Sequence, residues 1–144
     1  MARRRRRKPI GDGLVDQIQD ALDKGLARFL TTTQSKLSAA NPVDTGRMAS
    51  SWWINEGEPD RQTRPEDWAE PGAKRVENPV YEQPITFKGK WWLSNSVPYA
   101  DRVATDPRWA KNGRRGGADW FTRIQNTLPK DAERNFNFFL KKIK

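Results

Sequence analysis

The residue types that enzymes use most often for catalysis are missing from this sequence or stand in unsuitable surroundings. The chain has neither Cys nor His, which excludes thiol nucleophiles, triads with an imidazole base and zinc sites of the Cys/His type. The candidate carboxylate pairs are Glu56/Glu58 and Glu66/Asp67, which lie in a predicted loop among arginines. Carboxylates in such a loop are typical of solvated charge rather than of acid–base chemistry. We therefore expect no catalytic residue, no cofactor, no metal site and no enzymatic activity.

Positive charge is concentrated at the start of the chain. Of the 27 basic residues, six form one run, and the remaining 21 are nearly balanced by 18 acidic residues. Neighbouring like charges repel one another and resist burial, which predicts a disordered basic tail over residues 1–10. Arginine binds phosphate without reading sequence, so the tail is a candidate contact for DNA. An acidic surface on an adjoining protein and a purely solvated tail are the alternatives. The run consists of Arg3, Arg4, Arg5, Arg6, Arg7 and Lys8.

A glycine-rich segment at 113–117 is a second candidate for phosphate contact. It places Arg114 and Arg115 between glycines, and we predict the same kind of contact for them, to DNA or to an acidic neighbour. The segment lacks the Gly-Lys-Ser/Thr ending of a P-loop, so nucleotide hydrolysis is not supported. An ordinary mobile surface loop is the alternative.

A chain of 144 residues has the size of one domain, which we place at 11–144. Apolar residues from Leu14 to Leu37 recur at three-, four- and eight-residue steps. This spacing predicts a long helix over 11–38. We expect Asp12 to cap it and Asn41-Pro42 to end it.

A similar apolar pattern runs from Phe121 to Ile143 and predicts a C-terminal helix over 119–143. Asp119 is its expected N-cap. Pro129 lies inside the pattern, and we expect it to kink the helix or to split it.

Strand-forming residues between the two helices predict a small antiparallel sheet. The segment 51–55 forms one strand, and a hairpin joins 85–87 to 91–93 around Lys88-Gly89-Lys90. A short helix is expected over 46–51 and another from Pro98. The proline-rich segment 56–79 shows no periodicity and is predicted to be a long loop or extended arm. These elements give an α+β fold with two long helices packed on a small sheet.

Several of the seven tryptophans are candidates for contacts between subunits. The pairs Trp52/Trp53 and Trp91/Trp92 should each place one ring in the core and the other outward. An outward tryptophan is costly to expose, so Trp53 and Trp92 are predicted to contact a neighbour. Trp68 is predicted to anchor the arm on another subunit. Base stacking is the alternative for the sheet tryptophans.

The stretch Asn41–Trp52 reads Asn-Pro-Val-Asp-Thr-Gly-Arg-Met-Ala-Ser-Ser-Trp. It resembles the signature of the bacteriophage neck and tail-completion family typified by gene product ten of lambda-like phages. A second segment at 93–100, Leu-Ser-Asn-Ser-Val-Pro-Tyr-Ala, is similar to a downstream family element. The chain departs from the family in its basic tail, in the insertion at 56–79 and in lacking Glu-x-Gly after Ala100.

The resemblance implies a structural virion protein that joins the head to the tail around the DNA channel. It implies a homo-oligomeric ring with six subunits, or twelve where the ring matches the portal. The expected partners are the portal or adaptor and tail proteins, and assembly would take place in the host cytoplasm. Within this reading, Asp44, Thr45 and Gly46 form a structural turn. Arg47 and Tyr99 join the tryptophans as candidate subunit contacts.

Two other functions stay open. A basic nucleic-acid-binding module acting outside a virion ring would explain the arginine run, and a small hydrolase is disfavoured by the absence of His and Cys. No apolar run approaches the ~20 residues that a membrane span requires, so we expect no membrane association.

Overall fold

The computed structural model describes residues 10–43, 45–70, 73–106, 108 and 119–143. Within these residues, two long helices pack on a small antiparallel sheet, which confirms the predicted α+β fold. The elements in chain order are α1 (Ile10–Ala40), β1 (Trp53–Glu56), β2 (Trp91–Ser94), α2 (Ala100–Thr105) and α3 (Trp120–Leu140).

The first helix, α1, is slightly longer than its apolar pattern indicates. It begins at Ile10, so Asp12 lies inside it and the prediction that Asp12 is its N-cap is wrong. Its end at Ala40 agrees with the prediction. The Asn41 N–H still donates to the Leu37 carbonyl at 2.9 Å, but Pro42 has no N–H with which to continue the series.

The C-terminal helix, α3, runs from Trp120 to Leu140 without being split at Pro129. Pro129 and Gln125, whose carbonyl loses its intrahelical partner, are both exposed, so water can take the place of the missing donor. Asp119 occupies the N-cap position but makes no capping hydrogen bond. Its carboxylate instead pairs with the Arg123 guanidinium at 3.0 Å.

The sheet is an antiparallel ribbon in which Ile54 lies opposite Leu93. The predicted hairpin is wrong, because β2 pairs with β1 and the segment 85–87 is not a strand. Backbone groups of this segment that would have formed strand hydrogen bonds have other partners. The Phe87 N–H donates to the Asp23 carboxylate at 2.8 Å, and the Thr86 carbonyl accepts the Trp91 indole N–H at 2.7 Å.

The core lies where α1, α2 and α3 meet the inner face of the ribbon. Trp52 stacks on Phe121 with ring centroids 6.3 Å apart and meets Trp120 edge-on at 6.4 Å. Such aromatic pairs add to the stabilisation from burial. Leu93 is the β2 residue that packs against this core. The buried core cluster consists of Leu37, Met48, Trp52, Val97, Val103 and Trp120.

The two tryptophan pairs behave differently. Trp52 is buried and Trp53 is partly exposed, as alternation predicts. Trp91 and Trp92 are both only partly buried, so the prediction that one of them fills the core is wrong.

The predicted short helix over 46–51 is a single turn, in which the Ser50 N–H donates to the Gly46 carbonyl at 2.9 Å. The short helix expected from Pro98 is α2, which begins two residues later at Ala100.

Candidate functional site

Part of the predicted site falls outside the residues that the structure describes. This holds for the arginine run with Lys8, for Arg114 and Arg115, and for Asp44. The remaining candidates are Thr45, Gly46, Arg47, Trp53, Trp68, Trp92 and Tyr99.

The turn between α1 and β1 depends on two adjacent residues. The Thr45 hydroxyl accepts the Arg47 N–H at 3.2 Å, closing a tight local turn. Gly46 has φ +92°, and a Cβ there would overlap the Arg75 carbonyl. Only glycine combines this backbone conformation with so close an approach. Gly46 therefore allows the segment around Arg75 to lie directly against the backbone of the turn.

The proline-rich arm (56–79) folds back on its own chain through two buried serines. The Ser51 hydroxyl accepts the Arg64 N–H at 3.0 Å and donates to the Arg47 carbonyl at 2.6 Å. The Ser50 hydroxyl accepts the Glu77 N–H at 2.9 Å. Both serines are fully buried, so these bonds form away from solvent, where leaving polar groups unmatched is costly.

The Trp68 side chain is enclosed by other residues of the arm. The Arg75 guanidinium lies 3.8 Å from the centroid of its ring and the Arg64 guanidinium 4.4 Å. Its indole N–H donates to the Arg75 carbonyl at 2.8 Å. Only 8% of Trp68 is exposed, so the side chain is covered by its own chain and little of it remains for a neighbouring subunit.

Arg47 is also engaged within the chain. Its Nε donates to the Arg64 carbonyl at 2.7 Å, which ties the turn to the arm. The contact of Arg47 with another subunit stays a prediction.

The outer face of the ribbon carries Trp53 and Trp92 as diagonal neighbours, because Asn55 lies opposite Trp92 and Ser94 opposite Trp53. The Trp92 indole donates to the Gly57 carbonyl at 3.2 Å, and the Arg64 guanidinium lies 5.3 Å from the Trp53 ring. Both rings stay partly exposed. The arm thus covers this face incompletely.

A groove of about 1120 Å³ lies between the turn and α2. Tyr99 and Arg47 line it, together with Arg102, and its rim carries a close ion pair between Asp106 and Arg108 at 2.8 Å. Hydrogen bonds from Arg108 lower the pKa of the Asp106 carboxyl. A carboxylate held ionised by its arginine is a poor proton donor or acceptor near neutral pH.

No three His, Cys, Asp or Glu side chains among the described residues converge as metal ligands. No helix in that part of the chain combines the length and apolar composition needed to cross a bilayer.

Two surfaces were missed by the sequence reasoning. At the start of α1, Leu14, Val15 and Ile18 are 45%, 64% and 38% exposed, although Leu14 and Ile18 belong to the apolar pattern from which the helix was predicted. Along α3 and just past its end, basic residues at 130, 134, 141 and 142 lie on one exposed side. Their four-, seven- and eight-residue spacings were visible in the sequence and indicate such a surface.

Comparisons with protein-family models, with curated proteins and with solved structures give no match for this chain.

Proposed function

We propose that the chain is a structural virion protein of a tailed bacteriophage, a neck or tail-completion subunit that forms a ring at the head–tail junction. The ring would join the portal or adaptor to the tail and enclose the DNA channel, with six or twelve subunits. This role requires no catalysis and no cofactor.

The observation that carries the proposal is apolar surface that the folded monomer leaves uncovered. It is most continuous at the start of α1, where three apolar side chains within five residues are exposed. Exposed apolar surface of this kind is typical of protein interfaces. The partly exposed Trp53 and Trp92 extend the uncovered aromatic surface to the ribbon.

Two further features support this reading. The Asn41–Trp52 segment, which resembles the family signature, forms the junction between α1 and β1. In the family that this segment resembles, a long N-terminal helix precedes the turn, strands follow and a C-terminal helix closes the domain, and this chain has the same order of elements.

The test is to size the full-length protein by light scattering and to image it by negative stain over a range of concentrations. We expect closed rings whose population grows with concentration. A chain that stays monomeric at every concentration and binds duplex DNA at physiological salt would contradict the proposal.

That contrary result would favour a nucleic-acid-binding module, the second candidate. The observation in its favour is the basic side of α3, which adds to the arginine run in the sequence. Such binding would weaken steeply as salt is raised, which a retardation assay at two salt concentrations measures.

A further inference from the structure

One side of α3 carries positive charge that the folded chain does not neutralise. This side, the basic side of α3, consists of Lys130, Arg134, Lys141 and Lys142, which border a shallow groove of about 520 Å³. The first three are exposed and follow one another at steps of four and seven residues, spacings that keep them on one side of the helix. Among the described residues, none of these three side chains forms an ion pair with a carboxylate.

The acidic residues in this part of α3 do not balance the basic side. Asp131 is buried and is already bound by Lys36 of α1 at 2.6 Å. Glu133 borders the groove, but it is one carboxylate against four cations. The basic side therefore keeps an excess of positive charge.

The exposed side of α1 is arranged differently. Its Lys24 pairs with Asp20 at 2.8 Å, and the Arg28 guanidinium lies 4.0 Å from the centroid of the Phe138 ring. Charges of both signs, interspersed in this way, are typical of a helix surface that contacts only solvent.

On α3, by contrast, Lys130 and Arg134 are like charges four residues apart, a spacing at which two side chains on a helix repel each other. The attraction of cations to the C-terminal end of a helix can account for Lys141. It does not account for the other two, which lie more than one turn before the end at Leu140. A bound anion would remove this repulsion.

The basic side of α3 offers little apolar surface to a protein partner. Phe138 is the one aromatic side chain among the described residues that line the groove. Its ring is already flanked by the Arg28 guanidinium and the Lys142 ammonium, each 4.0 Å from the ring centroid. The centre of a protein interface is typically apolar and depleted of charge, whereas binding to a nucleic-acid backbone depends on neutralising phosphates. This surface therefore fits phosphates better than it fits another protein.

We propose that the basic side of α3 binds the phosphates of duplex DNA without reading the base sequence, and that it faces the DNA channel of the proposed ring. The cations from Lys130 to Lys141 span about 16 Å along the helix axis, a length over which duplex DNA carries about ten phosphates. Each subunit of a ring would repeat this contact around the axis. The inference rests on the proposed function for the location of the contact, but not for the contact itself.

The first test neutralises the three exposed cations in the full-length protein. The variant Lys130→Gln/Arg134→Gln/Lys141→Gln is titrated into a labelled duplex at a series of salt concentrations. We expect its dissociation constant at low salt to rise about tenfold or more. The slope of log K against log salt should become shallower by about 2.7 per bound subunit, which is about 0.9 for each lost phosphate contact. Duplexes of unrelated sequence should show the same loss.

Arg61→Gln/Lys74→Gln/Lys88→Gln is the matched control, because it removes the same charge from exposed positions outside α3. We expect it to weaken binding by less than about threefold, through long-range attraction alone. Equal losses for the two variants would overturn the proposal, since they would show that net charge rather than this surface governs binding.

A second measurement leaves the cations in place. The chain has no cysteine, so Asn137→Cys allows a single photo-cross-linker to be attached at the groove. We expect this position to cross-link to the duplex. Gln62→Cys is the control, because it is an exposed residue of the arm, which covers the outer face of the ribbon whereas α3 packs on the inner face. It should give far less cross-linked DNA, and equal cross-linking from both positions would overturn the proposal.

The outcomes separate this contact from the ring itself. Rings whose DNA binding is unchanged in the α3 variant would overturn the contact and leave the proposed function standing. A chain that stays monomeric, but whose DNA binding depends on the α3 cations, would support the contact and overturn the proposed function together with the channel location. Weaker association of the α3 variant with unchanged DNA binding would overturn the contact and assign this side to a neighbouring protein.

Discussion

The arm (56–79) and the start of α1 (the α1 extension, residues 13–20) differ in how far the monomer buries their apolar side chains. After Glu56, the last residue of β1, the described residues of the arm form no helix or strand, yet Trp68 is only 8% exposed because two guanidinium groups and its own chain enclose it. The α1 extension is regular helix, yet Val15 is 64% exposed. A helix satisfies its own backbone hydrogen bonds but cannot bury its side chains without a second surface. Regular secondary structure therefore does not show which apolar side chains this monomer buries.

The largest expected effect comes from removing the arm's central side chain. Trp68→Ala should lower the free energy of unfolding by about 3–5 kcal/mol, because it deletes a buried aromatic ring and leaves two arginines without their stacking partner. Urea denaturation of the variant measures this loss.

Leu14→Ala is the matched control on the α1 extension. Measured below the concentration at which the protein associates, it should change the free energy of unfolding by no more than about 0.5 kcal/mol. Equal losses for the two variants would contradict the contrast between the two regions.

The next effect concerns how the arm lies on the turn. Gly46→Ala should cost about 3 kcal/mol, since it adds backbone strain at φ +92° to an overlap with the Arg75 carbonyl. Gly57→Ala is the matched comparison, with φ +84° but nothing within 4 Å of the added Cβ, and should cost about 1 kcal/mol from strain alone. Thermal melting of both variants gives the difference, and similar melting temperatures would show that the arm is not held against Gly46.

The smallest effect is expected from the ion pair between Lys36 of α1 and Asp131 of α3, in the part of α1 that α3 covers. A hydrogen bond from the Lys36 ammonium, at 2.6 Å, together with one from the Thr127 hydroxyl, lowers the pKa of the Asp131 carboxyl. Asp131→Asn should therefore cost about 1–2 kcal/mol near pH 7, discounted because Lys36 is partly exposed.

The direction of the pKa change fixes the pH dependence of that cost. A carboxyl with a lowered pKa stabilises the fold above its unfolded pKa of about 3.9 and loses that contribution as pH falls through the folded value. The difference between the unchanged chain and Asp131→Asn should thus shrink below about pH 4 in denaturation at a series of pH values. Asp20→Asn, which removes only the exposed pair with Lys24, should show a smaller difference at neutral pH.

Some parts of the candidate site could be predicted from the sequence and others could not. The Thr45–Gly46 turn could be predicted because a capping hydroxyl and a glycine act within a few residues of one another. The partner of Arg47 could not, since the carbonyl it binds belongs to Arg64, whose position depends on how the whole arm folds. The contacts predicted for Trp53, Trp92 and Tyr99 with another subunit stay predictions.

The sequence alone determined the two long helices and the end of α1, because apolar periodicity and the missing N–H of Pro42 act locally. Only the tertiary structure decided that β2 pairs with β1, since the Phe87 N–H is bound by Asp23, which is far away along the chain. It also decided which part of the apolar face of α1 is buried. Periodicity shows that a face is apolar, but the position of α3 determines how far along that face the cover extends.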